Sequence, residues 1–200
     1  MSHLVDSQML KLLLIRTGST EFDEQGRIQG TLDVPLSDKG RQRVADVGEE
    51  LKDQPIEALY TSPCSAALQT GEIIAAACGG KVKKLSKLKN LDHGLWQGML
   101  IEDVKMKQPK VYRQWQEQPE TVCPPNGERL ESARKRIRQT CSSIAKKHKV
   151  GIVGLVVSEP LASLVCQLLK QDELGDLWKT DRNCRWELIP LQPGTLASLR

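Results

Sequence analysis

Residues 150–157, Val-Gly-Ile-Val-Gly-Leu-Val-Val, run for eight positions without a polar side chain. A strand that is apolar on both alternating faces has to be covered on both, as the central strands of parallel sheets are by helices above and below. A second run, Leu10 to Ile15, carries one lysine and stops at Arg16-Thr17-Gly18. Shorter strands are expected over Ile56–Thr61, Lys81–Leu85 and Trp186–Pro190. Between them lie helical signals. Ser37 caps a helix whose inner stripe is Val44, Val47 and Leu51. Ser62 and Pro63 supply a cap and a first-turn proline for a helix reaching about Cys78, stopped by Gly79-Gly80. A long amphipathic helix is expected from Gly127 to about Lys147, and Ser158-Glu159-Pro160 reads as the cap and first turn of another. Strands alternating with helices give an α/β fold, a three-layer α/β/α sandwich on a mostly parallel sheet. One domain spans residues 1–200. Its residues 90–125, broken by Gly94, Gly98, Pro109, Pro119, Pro124 and Pro125, form an irregular insertion over the sheet edge with a helical patch near 101–117. Ligands of such sheets sit at the carboxyl ends of the strands, where Arg16-Thr17-Gly18, Ser62-Pro63 and Ser158-Glu159 all fall.

Hydrophobic content of 39% and charged content of 27% in 200 residues suit one soluble domain. The net charge of +4 names no partner. Lysines cluster at 81, 83, 84, 87 and 89 and again at 146, 147 and 149. With no aromatic platform among them they read as solvated faces and not as a nucleic-acid surface. No apolar run reaches membrane-spanning length. The six cysteines, at 64, 78, 123, 141, 166 and 184, contain no C-x-x-C pair, and with His3, His93 and His148 they make no metal-ligand spacing. Reduced thiols in a cytoplasmic protein without metal or cofactor are the expectation.

Several blocks in order carry a more specific signal. Arg16-Thr17-Gly18 is followed by Gly26-Arg27-Ile28-Gln29-Gly30, then Asp33-Val34-Pro35-Leu36-Ser37 and Gly40. Leu59-Tyr60-Thr61-Ser62-Pro63 with Gln69-Thr70 comes next, then Gly94-Leu95-Trp96-Gln97-Gly98, Asn126-Gly127-Glu128 and Val157-Ser158-Glu159. Together they resemble the histidine phosphatase (phosphoglycerate mutase-like) superfamily over nearly the whole chain. The resemblance implies a phosphoglycerate mutase-like fold and a site that moves a phosphoryl group through a phosphohistidine. In that site one imidazole attacks phosphorus, two arginines and a second histidine hold the equatorial oxygens, and a carboxylate donates a proton.

Residue by residue the chain departs from that pattern. Arg16 stands in place of the first arginine. Thr17 occupies the position of the nucleophilic histidine, Ala66 that of the second arginine, Glu159 that of the second histidine, and Asn90 that of the acid glutamate. Asp23 takes the place of an asparagine that contacts phosphate. Arg16, Asp23, Gln29, Ser158 and Glu159 remain as the ligand-binding set, with Arg16 and Glu159 expected to pair across the pocket. Arg129, beside Gly127-Glu128, is a candidate for restoring positive charge. Trp96 and Trp115 are candidates for lining a ligand cleft, against plain packing, and Asp23 with Glu159 for a divalent cation site, against which Arg16 counts. The departures lead to the expectation of a catalytically degenerate member with a binding, regulatory or structural role. Its partner would be an unknown protein or small molecule, without nucleic acid or membrane, and a homodimer is an allowed assembly. The alternative is a divergent phosphatase or hydrolase acting on small phosphate esters through non-histidine residues, for instance Thr17 as nucleophile with Glu159 as its base.

Overall fold

The computed structural model describes residues 9–171, 174, 177–178 and 184–192. His3 lies outside these residues. Element order is β1 (Leu10–Arg16), α1 (Glu21–Glu24), α2 (Asp38–Leu51), β2 (Ile56–Thr61), α3 (Ser65–Cys78), β3 (Val82–Lys84), α4 (Ile101–Lys107), α5 (Pro109–Glu117), α6 (Leu130–Lys147), β4 (Gly151–Val157), α7 (Leu161–Lys170) and β5 (Trp186–Pro190). One five-stranded sheet has the order β3-β2-β4-β1-β5, parallel except for β5. This is the mostly parallel α/β sandwich the two apolar runs require.

Alternation along β1 divides the core in two. Leu10, Leu12 and Leu14 pack with Ile137, Ile144, Leu161 and Val165 of α6 and α7. Leu13 and Ile15 pack on the other face with Val44, Val47 and Leu51 of α2 and Ile74 of α3. Both faces of the central strands are thereby largely removed from water, which is why β4 is apolar throughout and β1 admits only Lys11 near its start and Arg16 at its end.

Helix starts differ from the sequence expectation at two places. The α3 cap is Cys64, not Ser62, and Pro63 precedes the helix. The α7 cap is Pro160, not Ser158, and the Glu159–Pro160 bond is cis. After β2 the ladder continues past the last strand residue: Ser62 N donates to Val156 O at 3.0 Å. Backbone still committed to the sheet cannot begin a helix. Ser37 does cap α2, accepting from Gly40 N, and Gly79 ends α3 in the left-handed region at φ 73°.

The insertion docks on the loop that borders the strand ends. Ile28 N donates to Met99 O, Gly98 N to Ile28 O, and Thr31 N to Gln97 Oε1, at 2.9, 2.8 and 2.6 Å. Its helical patch is two helices, with a break at Gln108 before Pro109. Trp96 and Trp115 are buried among His93, Tyr112 and Trp178 in a ring cluster, which makes them packing groups and not cleft walls. Arg136 of α6 fastens the preceding loop. It pairs with both oxygens of Glu128, at 2.8 and 2.9 Å, and donates to the carbonyls of Lys87, Lys89 and Asn90. Among the described residues no helix is long and apolar enough to cross a membrane.

Candidate active site

Parallel register brings three strand ends to one edge. Arg16 pairs with Val157 and Thr61 with Val156, so Thr17, Ser62 and Ser158 emerge side by side. The turn after β1 has to pass close to α2. A Cβ on Gly18 would come within 2.6 Å of Gly40 O and 2.7 Å of Val44 Cγ2, closer than real side chains pack. Gly18 N also donates to Thr70 Oγ1 of α3, at 3.2 Å.

Arg16, Thr17, Asp23, Gln29, Ser158 and Glu159 line one void at this edge, which unites the five ligand-binding candidates with Thr17. Its volume is about 10 Å³, room for about one water. The space is small because the side chains satisfy one another. Arg16 Nε donates to Glu159 Oε1 at 2.7 Å and Arg16 Nη1 to Glu187 Oε1 at 2.9 Å. Glu159 Oε2 accepts from Ser163 N and Ser163 Oγ, at 3.1 and 2.8 Å. The expected Arg16–Glu159 pair is thus present, with side chains 7% and 3% exposed.

Thr17 Oγ1 faces Ser158 Oγ at 3.3 Å, and the Glu159 oxygens are taken by Arg16 and Ser163. Glu159 is therefore not placed as a base for Thr17. Asp23 closes a capping box with Thr20, whose amide and hydroxyl lie 2.8 Å from Oδ2. Gln29 Oε1 lies 3.2 Å from the same hydroxyl. Ala66 is fully buried in the first turn of α3, with no polar group to offer. Asn90 grips backbone instead of facing the void: Nδ2 donates to Glu159 O at 2.8 Å and Oδ1 accepts from Leu91 N at 2.9 Å. Arg129 is exposed at the start of α6 and is not among the void's lining residues. Asp23 and Glu159 share the void with a guanidinium, which is no place for a divalent cation.

Some neighbours carry no signal in their own sequence. Glu187 reaches Arg16 because β5 runs antiparallel beside β1, setting it opposite Leu14. It also binds Lys170. Cys64 lies 3.7 Å from Ser158 Oγ and borders a second cavity of about 190 Å³, lined by Gly30, Thr31, Asp33, Lys89 and Asn90 among others. Chain adjacency to Ser62-Pro63 is the clue that could have found Cys64. The buried thiols of Cys141 and Cys184 are pushed up to about 12 by burial, which leaves them unreactive.

Burial works against the Arg16 charge, but the hydrogen bond to Glu187 and the charge of Glu159 outweigh it and hold the guanidinium above its ordinary value. Burial likewise pushes Glu187 up, and the hydrogen bonds from Lys170 and Arg16 outweigh that, holding its carboxyl below the ordinary 4.5. A depressed carboxyl contributes stability that is complete above pH 4.5 and is lost as pH falls through its folded value. Thermal midpoints measured from pH 6 downward are expected to fall below about pH 4.5, and Glu187→Gln to flatten that part of the curve. An unchanged curve in the variant would contradict the assignment.

A sequence profile described as the histidine phosphatase superfamily (branch 1) matches residues 12–199. Phosphoserine phosphatase 1 of Hydrogenobacter thermophilus is 35% identical over 171 residues, covering 85% of this chain and 81% of the relative. A probable phosphoglycerate mutase of Salmonella arizonae is 31% identical over 186 residues, covering 92% and 86%. Among solved structures, the phosphoglycerate mutase of Bacillus anthracis superposes with a TM-score of 0.81 at 22% identity, over 97% of this chain and 96% of that one, a likeness of fold. Members of this superfamily are generally enzymes, and the 35% relative is a phosphatase. These relatives overturn the expectation of a non-catalytic binding, regulatory or structural protein. That expectation rested on the missing imidazoles, the missing second arginine and the carboxylates of Asp23 and Glu159, all judged against the phosphohistidine route, whereas phosphoryl transfer in general depends mainly on positioning and charge stabilisation. By its strand order, its crevice at Arg16 and its match over residues 12–199, the chain belongs to the histidine phosphatase superfamily.

Proposed function

We propose that this protein is a divergent phosphatase that hydrolyses small phosphate esters through non-histidine residues. The observation that carries this reading is a buried arginine at the end of β1, set among two hydroxyls, an amide and two carboxylates, in a chain 35% identical to a phosphoserine phosphatase. A phosphate group reaches Arg16 by taking the place of the Glu159 carboxylate. Arg16, the Thr17 and Ser158 hydroxyls and the Gln29 amide then offer donors to its oxygens. The ester's leaving group occupies the 190 Å³ cavity, where Lys89 and Asp33 suit a small polar body.

Water is the nucleophile in this scheme. Asp23, its carboxylate oriented by Thr20, takes a proton as the water oxygen bonds to phosphorus. The P–O ester bond breaks, and the proton held by Asp23 passes through solvent to the leaving oxygen, so ester and water become alcohol and inorganic phosphate and Asp23 is restored as a carboxylate. The test is release of inorganic phosphate from p-nitrophenyl phosphate, O-phosphoserine and 3-phosphoglycerate by purified protein. Release above the buffer rate from at least one of them is expected. Rates equal to buffer for all three would overturn the proposal.

A further inference from the structure

A cavity of about 380 Å³ opens between the turn Ser86–Leu88 and α6, and shares no lining residue with the crevice. Its size is that of a small-molecule site. Tyr60, Leu85 and Ile144 give it an apolar floor, and Lys87 and Lys147 stand at its walls. The two lysine clusters, some sixty residues apart in sequence, thus converge on one hollow.

We propose that this cavity binds a small amphipathic organic anion: a ring or short apolar body bearing one carboxylate, sulfonate or phosphate. Charge selects the ligand's sign. Among the described residues none of the lysines at 81, 83, 84, 87, 89, 146, 147 and 149 is in an ion pair, and no carboxylate lines the hollow. Lys87 Nζ donates only to the neutral Gln139 Oε1, at 3.1 Å. Glu57, the acid nearby in the fold, is held by His148 Nδ1 at 3.1 Å, and His148 Nε2 lies 3.0 Å from the Tyr60 hydroxyl. Tyr60 therefore presents its ring and not its hydroxyl, with Lys83 Nζ 5.8 Å from the ring centroid.

The wall hydroxyls narrow the chemistry further. Thr140 Oγ1 donates to Arg136 O and Ser143 Oγ to Gln139 O, both at 2.8 Å, so their protons are committed to the helix. The ammonium groups of Lys87 and Lys147 and the Ser86 hydroxyl remain as donors. An apolar floor beneath two cations rewards a ligand with both a body and a negative head, more than either alone.

Naphthalene-2-sulfonate, which has no phosphate ester to cleave, is a suitable probe for calorimetry with the full chain. Binding is expected with a Kd on the order of 10⁻⁴ to 10⁻³ M. The double variant Lys87→Glu, Lys147→Glu should weaken it at least about tenfold while phosphate release from esters is unchanged. Ser143→Trp, which fills the hollow from its exposed rim and keeps the charges, should abolish it. Neutral 2-naphthol and inorganic sulfate should each bind at least about tenfold more weakly than the probe. No saturable binding, binding that survives either variant, or equal binding of 2-naphthol would overturn the proposal.

Discussion

Arg16→Ala is expected to release phosphate from small esters at least about 10²-fold more slowly than the wild type, each lost charge-assisted bond costing about 1.5–3 kcal/mol. Among the described residues it is the cation in the lining of the crevice void, so nothing in that lining replaces it. The same variant strands Glu159, whose side chain is 3% exposed, without a counter-charge. Removing one partner of a buried pair costs about 3–5 kcal/mol, because the remaining charge stays desolvated. Glu187 is affected less, since Lys170 still holds it. Urea denaturation would read the stability loss, and phosphate release measured well below the unfolding midpoint would separate it from the catalytic one. Arg16→Lys keeps the charge but not the planar fork that reaches Glu159 and Glu187 together, so it should fall between wild type and alanine on both measures. An Arg16→Ala protein that turns over esters at the wild-type rate would remove the crevice from the reaction.

The framework of this site is legible in the sequence wherever one periodicity governs a segment. The apolar runs at Leu10 and Val150 admit little but central strands, and Ser37 with Gly40 marks the start of α2. Parallel neighbours end at the same edge, which is why Arg16 and Glu159 can be expected to meet before any coordinates exist. Cap signals at that edge are misleading. Ser62-Pro63 and Ser158-Pro160 have the composition of helix starts, yet α3 is capped by Cys64, after Ser62 has bonded to the sheet, and α7 by Pro160. Glu187 has no local signature, because its place beside Arg16 comes from the antiparallel pairing of β5, a tertiary choice. Asn90 is found by resemblance but in another role: it holds the Glu159 carbonyl, and Arg136 holds Asn90's own carbonyl at 3.2 Å. The functional misreading had a different source. The absent histidines and second arginine bear on one chemical route, while Arg16, the hydroxyls of Thr17 and Ser158 and the carboxylate of Asp23 are groups that attack by water can use.

Glu159→Gln should then tighten the binding of inorganic phosphate by at least about tenfold and as much as 10³-fold. A carboxylate at ~4 Å from a phosphate repels each unit charge by about 4 kcal/mol at an effective dielectric near 20, and about 1.4 kcal/mol is tenfold in affinity. The lower bound allows for the carboxylate swinging aside when phosphate enters, which softens the repulsion. Glutamine has the same shape, but it cannot satisfy both neighbours. Its one amide oxygen can accept from Arg16 Nε or from Ser163 N, not both, and its NH₂ group then faces a donor on the other side. Arg16 stays fixed by Glu187, so the guanidinium is kept in place while its competitor for phosphate is removed. Calorimetry with inorganic phosphate at fixed ionic strength reads the change, and the wild type under the same conditions sets the reference. If the two proteins bind phosphate equally, the Glu159 carboxylate is not what guards Arg16, and the ester must approach the strand ends by another route. If the variant binds more tightly and still hydrolyses esters, Glu159 is a latch on an active crevice, and Asp23 is the carboxylate that remains there to handle the proton.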